Sequence, residues 1–224
     1  VIAQGGEGGG HTGSVPTSLL VPEVVDGVAG TDVVVLAAGG FSDGRGLAAA
    51  LAWGADGVAM GTRFLLTQES HVPAHVKDVY LATALNGTVV TTSIDGAPQR
   101  VIRTAMIDAL EKSPGLVRFP RAANNAVRFA RQAGVSLPDL ARTGVQMHKD
   151  QELSWAQVAL AANAPMMTKA SVVDGDVEVG ILPTGQVVGV IDELPTVREL
   201  LERIMDEADT TLTRLCGQGQ PPTD

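Results

Sequence analysis

A chain of 224 residues can enclose one sizeable hydrophobic core but not two comfortable ones. With 45% hydrophobic and 18% charged residues, disorder is excluded and a globular protein is expected. A net charge of −9 argues against non-specific nucleic-acid binding and against docking on anionic membranes, since both need a basic field.

The chain begins inside an apolar run, Val1-Ile2-Ala3, which reads as a buried strand. Behind it stands Gln4-Gly5-Gly6-Glu7-Gly8-Gly9-Gly10-His11-Thr12-Gly13, with six glycines around one glutamate and one histidine. Dense glycine lets backbone approach a ligand closely, and a histidine in such a loop is placed for acid/base work. A flexible linker would also be glycine-rich. Linkers, however, carry serine and lack both a leading strand and an embedded Glu/His pair. A ligand-binding loop is therefore the stronger reading. Because residue 1 is not Met and already looks like mid-strand, the chain is expected to be a fragment of something longer.

Val15–Ala29 reads as a connection and helix, starting near Pro22 and ending before Gly30. Asp32–Ala38 is a continuous apolar run, the mark of a strand buried on both faces, and stops at Gly39-Gly40. Ser42 is placed to cap a helix over Asp43–Trp53, with Gly54 closing it. Gly57–Met60 is the next short strand, ending at Gly61-Thr62. Strands alternating with helices over short connections imply parallel strands joined by right-handed crossovers.

Further along, a helix is expected around Ala74–Leu85, then a β-prone run, Thr88–Ser93, before the Asp95-Gly96 turn. Gln99–Lys112 looks helical, as do Pro120–Ala133, Leu137–Lys149 and Ser154–Val173. Asp174-Gly175-Asp176 turns into a Gly-interrupted segment, Val177–Ile191. A final helix is expected over Thr196–Leu215, with Thr196 and Glu199 forming a capping box. The tail from Gly217 to Asp224 should fray. In outline, residues 1–86 carry the βα units, 87–216 a mostly helical remainder, and 217–224 a flexible tail.

In parallel α/β folds, ligands sit beyond the carboxyl ends of the strands. Here three successive strand ends are marked by glycine. Gly39-Gly40 and Gly61-Thr62 suit an anion, because backbone amides, helix N-termini and the Thr62 hydroxyl can cradle a phosphate. Alone, Gly39-Gly40 would be read as a tight turn. Two such ends in adjacent βα units favour a phosphorylated cofactor.

These residues carry a family resemblance. Gln4 to Gly13 is similar to the Q-G-x-E-A-G-G-H-x-G motif of the nitronate monooxygenase family, formerly called 2-nitropropane dioxygenases. Ala38-Gly39-Gly40-Phe41-Ser42-Asp43-Gly44 and Gly54-Ala55-Asp56-Gly57-Val58-Ala59-Met60-Gly61-Thr62-Arg63-Phe64-Leu65 resemble its next two motifs in order and spacing. Thr67-Gln68-Glu69-Ser70, Asp174-Gly175-Asp176 and Gly185-Gln186-Val187-Val188-Gly189 extend the match, which is weakest between Gln99 and Ser154. FMN-dependent enoyl-acyl-carrier-protein reductases share these motifs and the fold. One departure is Gly8, where the family usually has alanine.

The resemblance implies a TIM (β/α)₈ barrel holding FMN, of which this chain would be the C-terminal portion: strands six to eight plus a mostly helical extension. It implies that Gln4 and Gly9 lie along the flavin, with Met60 among the cofactor-binding residues. Gly39, Gly40, Gly61 and Thr62 would hold the phosphate, and Gln186 would approach from the C-terminal part. His11 would be the acid/base, while Glu7 is expected to accept backbone N–H groups rather than catalyse. The missing barrel strands would be needed for completion, because three strands leave open edges. NAD(P)H as reductant and a homodimer both stay open.

The activity implied is oxidation of alkyl nitronates with O₂ on FMN. The alternatives are an NAD(P)H-dependent flavin reductase of enoyl thioesters on CoA or carrier protein, and a degenerate barrel that binds FMN or phosphate without turnover. Nucleotide dehydrogenases built on phosphate-binding barrels fit less well, since they need a loop cysteine. The one cysteine, Cys216, adjoins the expected tail and has no evident base; its solitude suits a reducing cytoplasm. No apolar run reaches the ~18 residues of a membrane span, so a soluble, cytoplasmic protein is expected. His71 and His75 have helical metal-pair spacing, but Pro73 and the lack of a third ligand favour a surface pair and no metal. Arg118, Arg121, Arg128 and Arg131 share one side of an expected helix. They read as a solvated face, or alternatively as a dock for the phosphates of a CoA or carrier-protein substrate.

Overall fold

The computed structural model describes residues 1–112 and 164–217. Its first half is a three-stranded parallel sheet built in sequence order: β1 (Ile2–Gln4), β3 (Leu36–Ala38) and β4 (Gly57–Ala59). Ile2 pairs with Leu36 and Gln4 with Ala38, and Ala38 in turn pairs with Ala59. Helix α1 (Thr17–Gly27) links β1 to β3, and α2 (Gly44–Ala52) links β3 to β4. All three strands run the same way, so their glycine-marked ends emerge along one edge of the sheet.

A second, antiparallel sheet has the order β2 (Gly10–His11), β6 (Gln99–Ile102), β5 (Thr88–Thr91). Its first strand belongs to the glycine loop itself, with His11 opposite Gln99 and Gly10 opposite Arg100. The short α3 (Gly61–Leu65), α4 (Ala74–Leu81), α5 (Ala105–Lys112), α6 (Ala164–Val172), a 3₁₀ turn over Gln186–Val190, and α7 (Val197–Gly217) complete the described elements.

Three apolar clusters hold these pieces together. Ala3 and Ala37 of the parallel sheet pack with Val21, Val35 and Ala50, and Leu200 and Ile204 of α7 close that cluster. The approach of α7 to α2 is tight: a Cβ on Gly44 would fall 2.3 Å from the Ile204 carbonyl. Leu66, Tyr80, Leu182 and Val188 form a second cluster, and Ile94, Val101, Ile107 and Ile181 a third, under the hairpin β5–β6. The second and third clusters place the 181–191 segment against α4 and β6, and Val101 bridges Pro183. No described helix is long and apolar enough to cross a membrane.

Several sequence expectations need correction. Helix α1 begins at Thr17, not near Pro22, which lies inside it. The proline removes one backbone donor, and the carbonyl it frees belongs to Ser18, which is exposed to water. Glu7 supplies the missing start signal, as its carboxylate accepts the Thr17 amide at 2.9 Å. The apolar run 32–38 is strand only at Leu36–Ala38; Val33 and Val34 are 42% and 56% exposed. The cap of α2 is Asp43, not Ser42, since the Asp43 side chain accepts the Gly46 amide at 3.1 Å. The expected helix over 99–112 is divided into β6 and α5, because Gln99–Ile102 finds two strand partners. The capping box is present, with the Thr196 amide donating to Glu199 at 2.8 Å and the Glu199 amide to Thr196 Oγ1 at 3.2 Å. The helices expected over 120–133 and 137–149, the four arginines and residues 218–224 lie outside the described residues.

Candidate active site

A cavity of about 430 Å³ opens at the carboxyl edge of the parallel sheet. The loop after β1 contributes Gln4 and Gly9, the turn after β3 contributes Gly39 and Gly40, and the β4–α3 junction contributes Met60, Gly61 and Thr62. Seven of the eight residues expected to bind cofactor thus line one space. The eighth, Gln186, does not line it, although its neighbours Gly185 and Val187 do. Its amide instead donates to the Glu7 carbonyl at 2.9 Å.

The far wall comes from Pro183, Thr184 and Gly185, some 120 residues beyond the strands. Gly9 makes that closure sterically feasible, because a Cβ there would lie 2.4 Å from the Gly185 nitrogen. The Thr62 hydroxyl accepts the Gly185 amide at 2.9 Å and lies 3.3 Å from Thr184 Oγ1. An accepted bond leaves its own hydrogen available to point elsewhere.

The residues fit a phosphate monoester. Gly39 and Gly40 both adopt left-handed backbone, φ +97° and +85°, which turns the chain sharply at the sheet edge. Among the described residues, the Gly40 amide and the first two amides of α3, Gly61 and Thr62, donate to no other backbone group. A Cβ on Gly61 would meet nothing within 4 Å, so its Cα faces open space. Unbonded amides around an open, glycine-walled hollow match what a phosphate needs.

His11 does not line this cavity. It lies on a second one, of about 530 Å³, with Ala3, Thr12 and Pro98; Ile2 and Gln4 of β1 border both. The Gln4 side chain links the two spaces, donating from Nε2 to the His11 carbonyl at 2.7 Å. It folds across Gly8, where a Cβ would come within 2.6 Å of that same nitrogen. The unusual glycine in the motif therefore has a local consequence: it makes room for Gln4 to reach His11.

The imidazole itself is held by the hairpin. His11 Nε2 is 2.7 Å from Asp95 Oδ2, and the Gln99 side-chain nitrogen is 3.1 Å away. The pair is asymmetric, since the His11 side chain is 65% exposed and that of Asp95 only 6%. Asp95 looked like a simple turn residue and Gln99 like part of a helix, so sequence reasoning missed both. The faint signal was an acidic residue beside glycine between two β-prone runs.

Two charged groups brace the loop. The Arg100 guanidinium donates to the Gly6 carbonyl at 2.9 Å and to Thr88 Oγ1 at 3.0 Å, while burial pushes its pKa down and Glu7 opposes that shift. Burial pushes the Glu7 carboxyl up, but hydrogen bonds from Thr17 outweigh it and hold the group below the usual carboxylate range. Glu7 is thus an anchor for α1, as expected from its setting among backbone N–H groups. His75, the metal-pair candidate, donates through Nε2 to the Gly175 carbonyl at 2.7 Å, which occupies that nitrogen. Among the described residues no cluster of potential ligands gathers around it or elsewhere.

Residues 1–207 match the model of the family described as nitronate monooxygenase. The chain belongs to that family of oxidoreductases. A relative from Mycobacterium tuberculosis (strain ATCC 25618 / H37Rv), named (3aS,4S,5R,7aS)-5-hydroxy-7a-methyl-1-oxo-octahydro-1H-indene-4-carboxyl-CoA dehydrogenase, is 54% identical over 212 residues. That match covers 95% of this chain and 60% of the relative. A probable nitronate monooxygenase of Staphylococcus aureus (strain JH9) is 35% identical over 149 residues, covering 62% of this chain and 41% of that protein. Among solved structures, FabK from Thermotoga maritima superposes with a TM-score of 0.67 at 33% identity, covering 97% of this chain and 57% of that one. The fold is therefore the α/β architecture of a TIM barrel, its C-terminal portion. The chain spans between 41% and 60% of the length of these relatives.

Proposed function

We propose that this chain carries the phosphate-binding side and the acid/base of an FMN-dependent oxidoreductase that acts on a coenzyme A thioester. Identity of 54% across nearly the whole chain to a CoA-thioester dehydrogenase carries the choice of substrate class. FMN, when bound, would supply a two-electron acceptor or donor. The chain's own residues do the rest. Gly39, Gly40, Gly61 and Thr62 receive the phosphate, and Gln4 and Gly9 border the same cavity. His11, on the far side of Gln4, takes a proton from the substrate or returns one. Its exposed ring lines the second cavity beside β1, where a substrate can meet it, and Asp95 holds it from behind.

A second reading, oxidation of alkyl nitronates with O₂, is favoured by the family match and the Staphylococcus aureus relative. Anaerobic mixing of the full-length protein with each substrate class separates the two. Loss of flavin absorbance with a hydroxylated indene-carboxyl-CoA thioester, and none with a nitronate, is the expected result. Nitronate consumption without thioester turnover would replace the first reading by the second. A colourless protein that retains no flavin on reconstitution would sink both.

A further inference from the structure

We propose that Asp95 is the positioning residue of His11: it holds the imidazole with its proton on Nε2 and leaves Nδ1 as the nitrogen that exchanges a proton with substrate. The inference rests on the reading of His11 as the acid/base and adds what that reading lacks, namely which nitrogen acts and what selects it.

The donor count makes the argument. An ionised carboxylate only accepts hydrogen bonds. At 2.7 Å from Asp95 Oδ2, His11 Nε2 makes a bond only if it carries the hydrogen. Gln99 Nε2 also donates to Oδ2, so two donors converge on one oxygen and end 3.1 Å from each other. The other oxygen is committed elsewhere: Oδ1 accepts the Ala97 amide at 3.1 Å and fixes the carboxylate within its own turn. Nδ1 has no partner among the described residues, and the side chain is 65% exposed.

The backbone is tied to the same hairpin. His11 pairs with Gln99 across the β2–β6 ladder, and the Thr12 amide donates to the Pro98 carbonyl at 3.0 Å. Main chain and ring therefore share one frame of reference, although the partners are 84 and 88 positions further along the chain. A carboxylate so placed orients the ring and selects its tautomer. If Asp95 served only its own turn, Oδ1 alone would suffice and Oδ2 would be dispensable.

Asp95→Asn separates these roles. Asparagine can keep its oxygen on the Ala97 amide and place its NH₂ where Oδ2 was. Nε2 must then present a lone pair, and the proton moves to Nδ1. Nitrogen-15 labelling of histidine in the full-length protein, read by two-bond nitrogen–proton correlation, reports the tautomer with or without flavin. The expected result is Nε2–H in the wild type and Nδ1–H in the variant. Turnover should fall about a hundredfold with little change in KM.

An Nδ1–H signal in the wild type overturns the proposal outright, whether or not the variant folds. So does the same tautomer in both proteins, or a loss of turnover matched by equal losses of flavin and thermal stability. Failure of the underlying reading looks different: His11→Ala would leave turnover unchanged while the tautomer results stood.

Discussion

The parallel sheet β1-β3-β4 and the antiparallel sheet β2-β6-β5 share the Gln4–Gly13 loop, but they use it for opposite ends. On the parallel side the loop is shaped by absence, since glycines let backbone pass backbone and leave amides free around a hollow. On the antiparallel side it is shaped by presence, with His11 pinned by a buried carboxylate that the Gln99 amide of the same hairpin also grips. A cradle of this kind tolerates no added atoms, whereas a pinned side chain tolerates no lost ones. Substitutions that add to the first region or subtract from the second should therefore cost the most.

The largest effect is expected where a single methyl meets backbone. Gly9→Ala places a Cβ 2.4 Å from the Gly185 nitrogen, and neither strand end nor loop can swing aside as a side chain would. The 184–185 segment must detach from Thr62, giving up the 2.9 Å bond that closes the cavity. A loss of about 3 kcal/mol in urea unfolding of the full-length protein is expected. No change would mean that the far wall of the cavity is not held by this contact.

On the antiparallel side, Arg100→Met keeps much of the aliphatic bulk and removes both guanidinium bonds. The Gly6 carbonyl and Thr88 hydroxyl lose a donor, and Glu7 loses a neighbouring cation. Destabilisation of about 1–2 kcal/mol is expected by chemical denaturation. If the two sheets are coupled through this arginine, flavin retention should fall with it. An unchanged flavin content would show that the cradle is independent of the hairpin.

The contrast also governs what could be read from sequence. Gly39-Gly40, Gly61-Thr62 and the glycine loop were legible because a glycine at a strand end carries its meaning locally, in φ and in space. The capping box of α7 was legible for the same reason, as Thr196 and Glu199 are three residues apart. Asp95, Gln99 and Arg100 were not, because their roles arise from pairing Gly10–His11 with a strand some ninety residues away. Local propensity gave Gln99–Ile102 to a helix, and tertiary pairing overrode it. Pro22 misled in a similar way, since the signal that starts α1 comes from Glu7, across the loop, rather than from the helix's own sequence.

Gly61→Ala tests whether the cradle is a site or merely a turn. The added methyl would meet no protein atom within 4 Å, and Gly61 is not among the positive-φ glycines, so the fold has no reason to object. Unfolding free energy is expected to change by no more than about 0.5 kcal/mol. The methyl does enter the space proposed for the phosphate, so affinity for FMN should weaken about tenfold, read by fluorescence titration of the flavin-free protein. Unaltered affinity would move the phosphate away from the β4–α3 junction and leave Gly39-Gly40 as the remaining candidate.

The smallest effect is the one that depends on pH. Glu7 sits between the two sheets: its carboxylate caps α1, accepting from the Thr17 hydroxyl at 2.6 Å as well as the amide, while its own carbonyl receives Gln186. Burial raises its pKa, and the Thr17 bonds and the Arg100 charge more than reverse that, so the folded-state value lies below the usual carboxylate range. A depressed carboxylate contributes stability that is fully present above the unfolded-state pKa and is lost as pH falls through the folded one. Glu7→Gln removes that term and keeps the shape. Wild type should therefore exceed the variant in stability at neutral pH by a modest margin, since the group is only partly buried and solvent screens it. Below about pH 4.5 the margin should shrink steadily as the native carboxylate takes up its proton. Parallel thermal melts of the two proteins from pH 7 downward measure it. A margin that stayed constant into acid would assign Glu7's contribution to shape alone, and the anchor between the two sheets would then be Arg100.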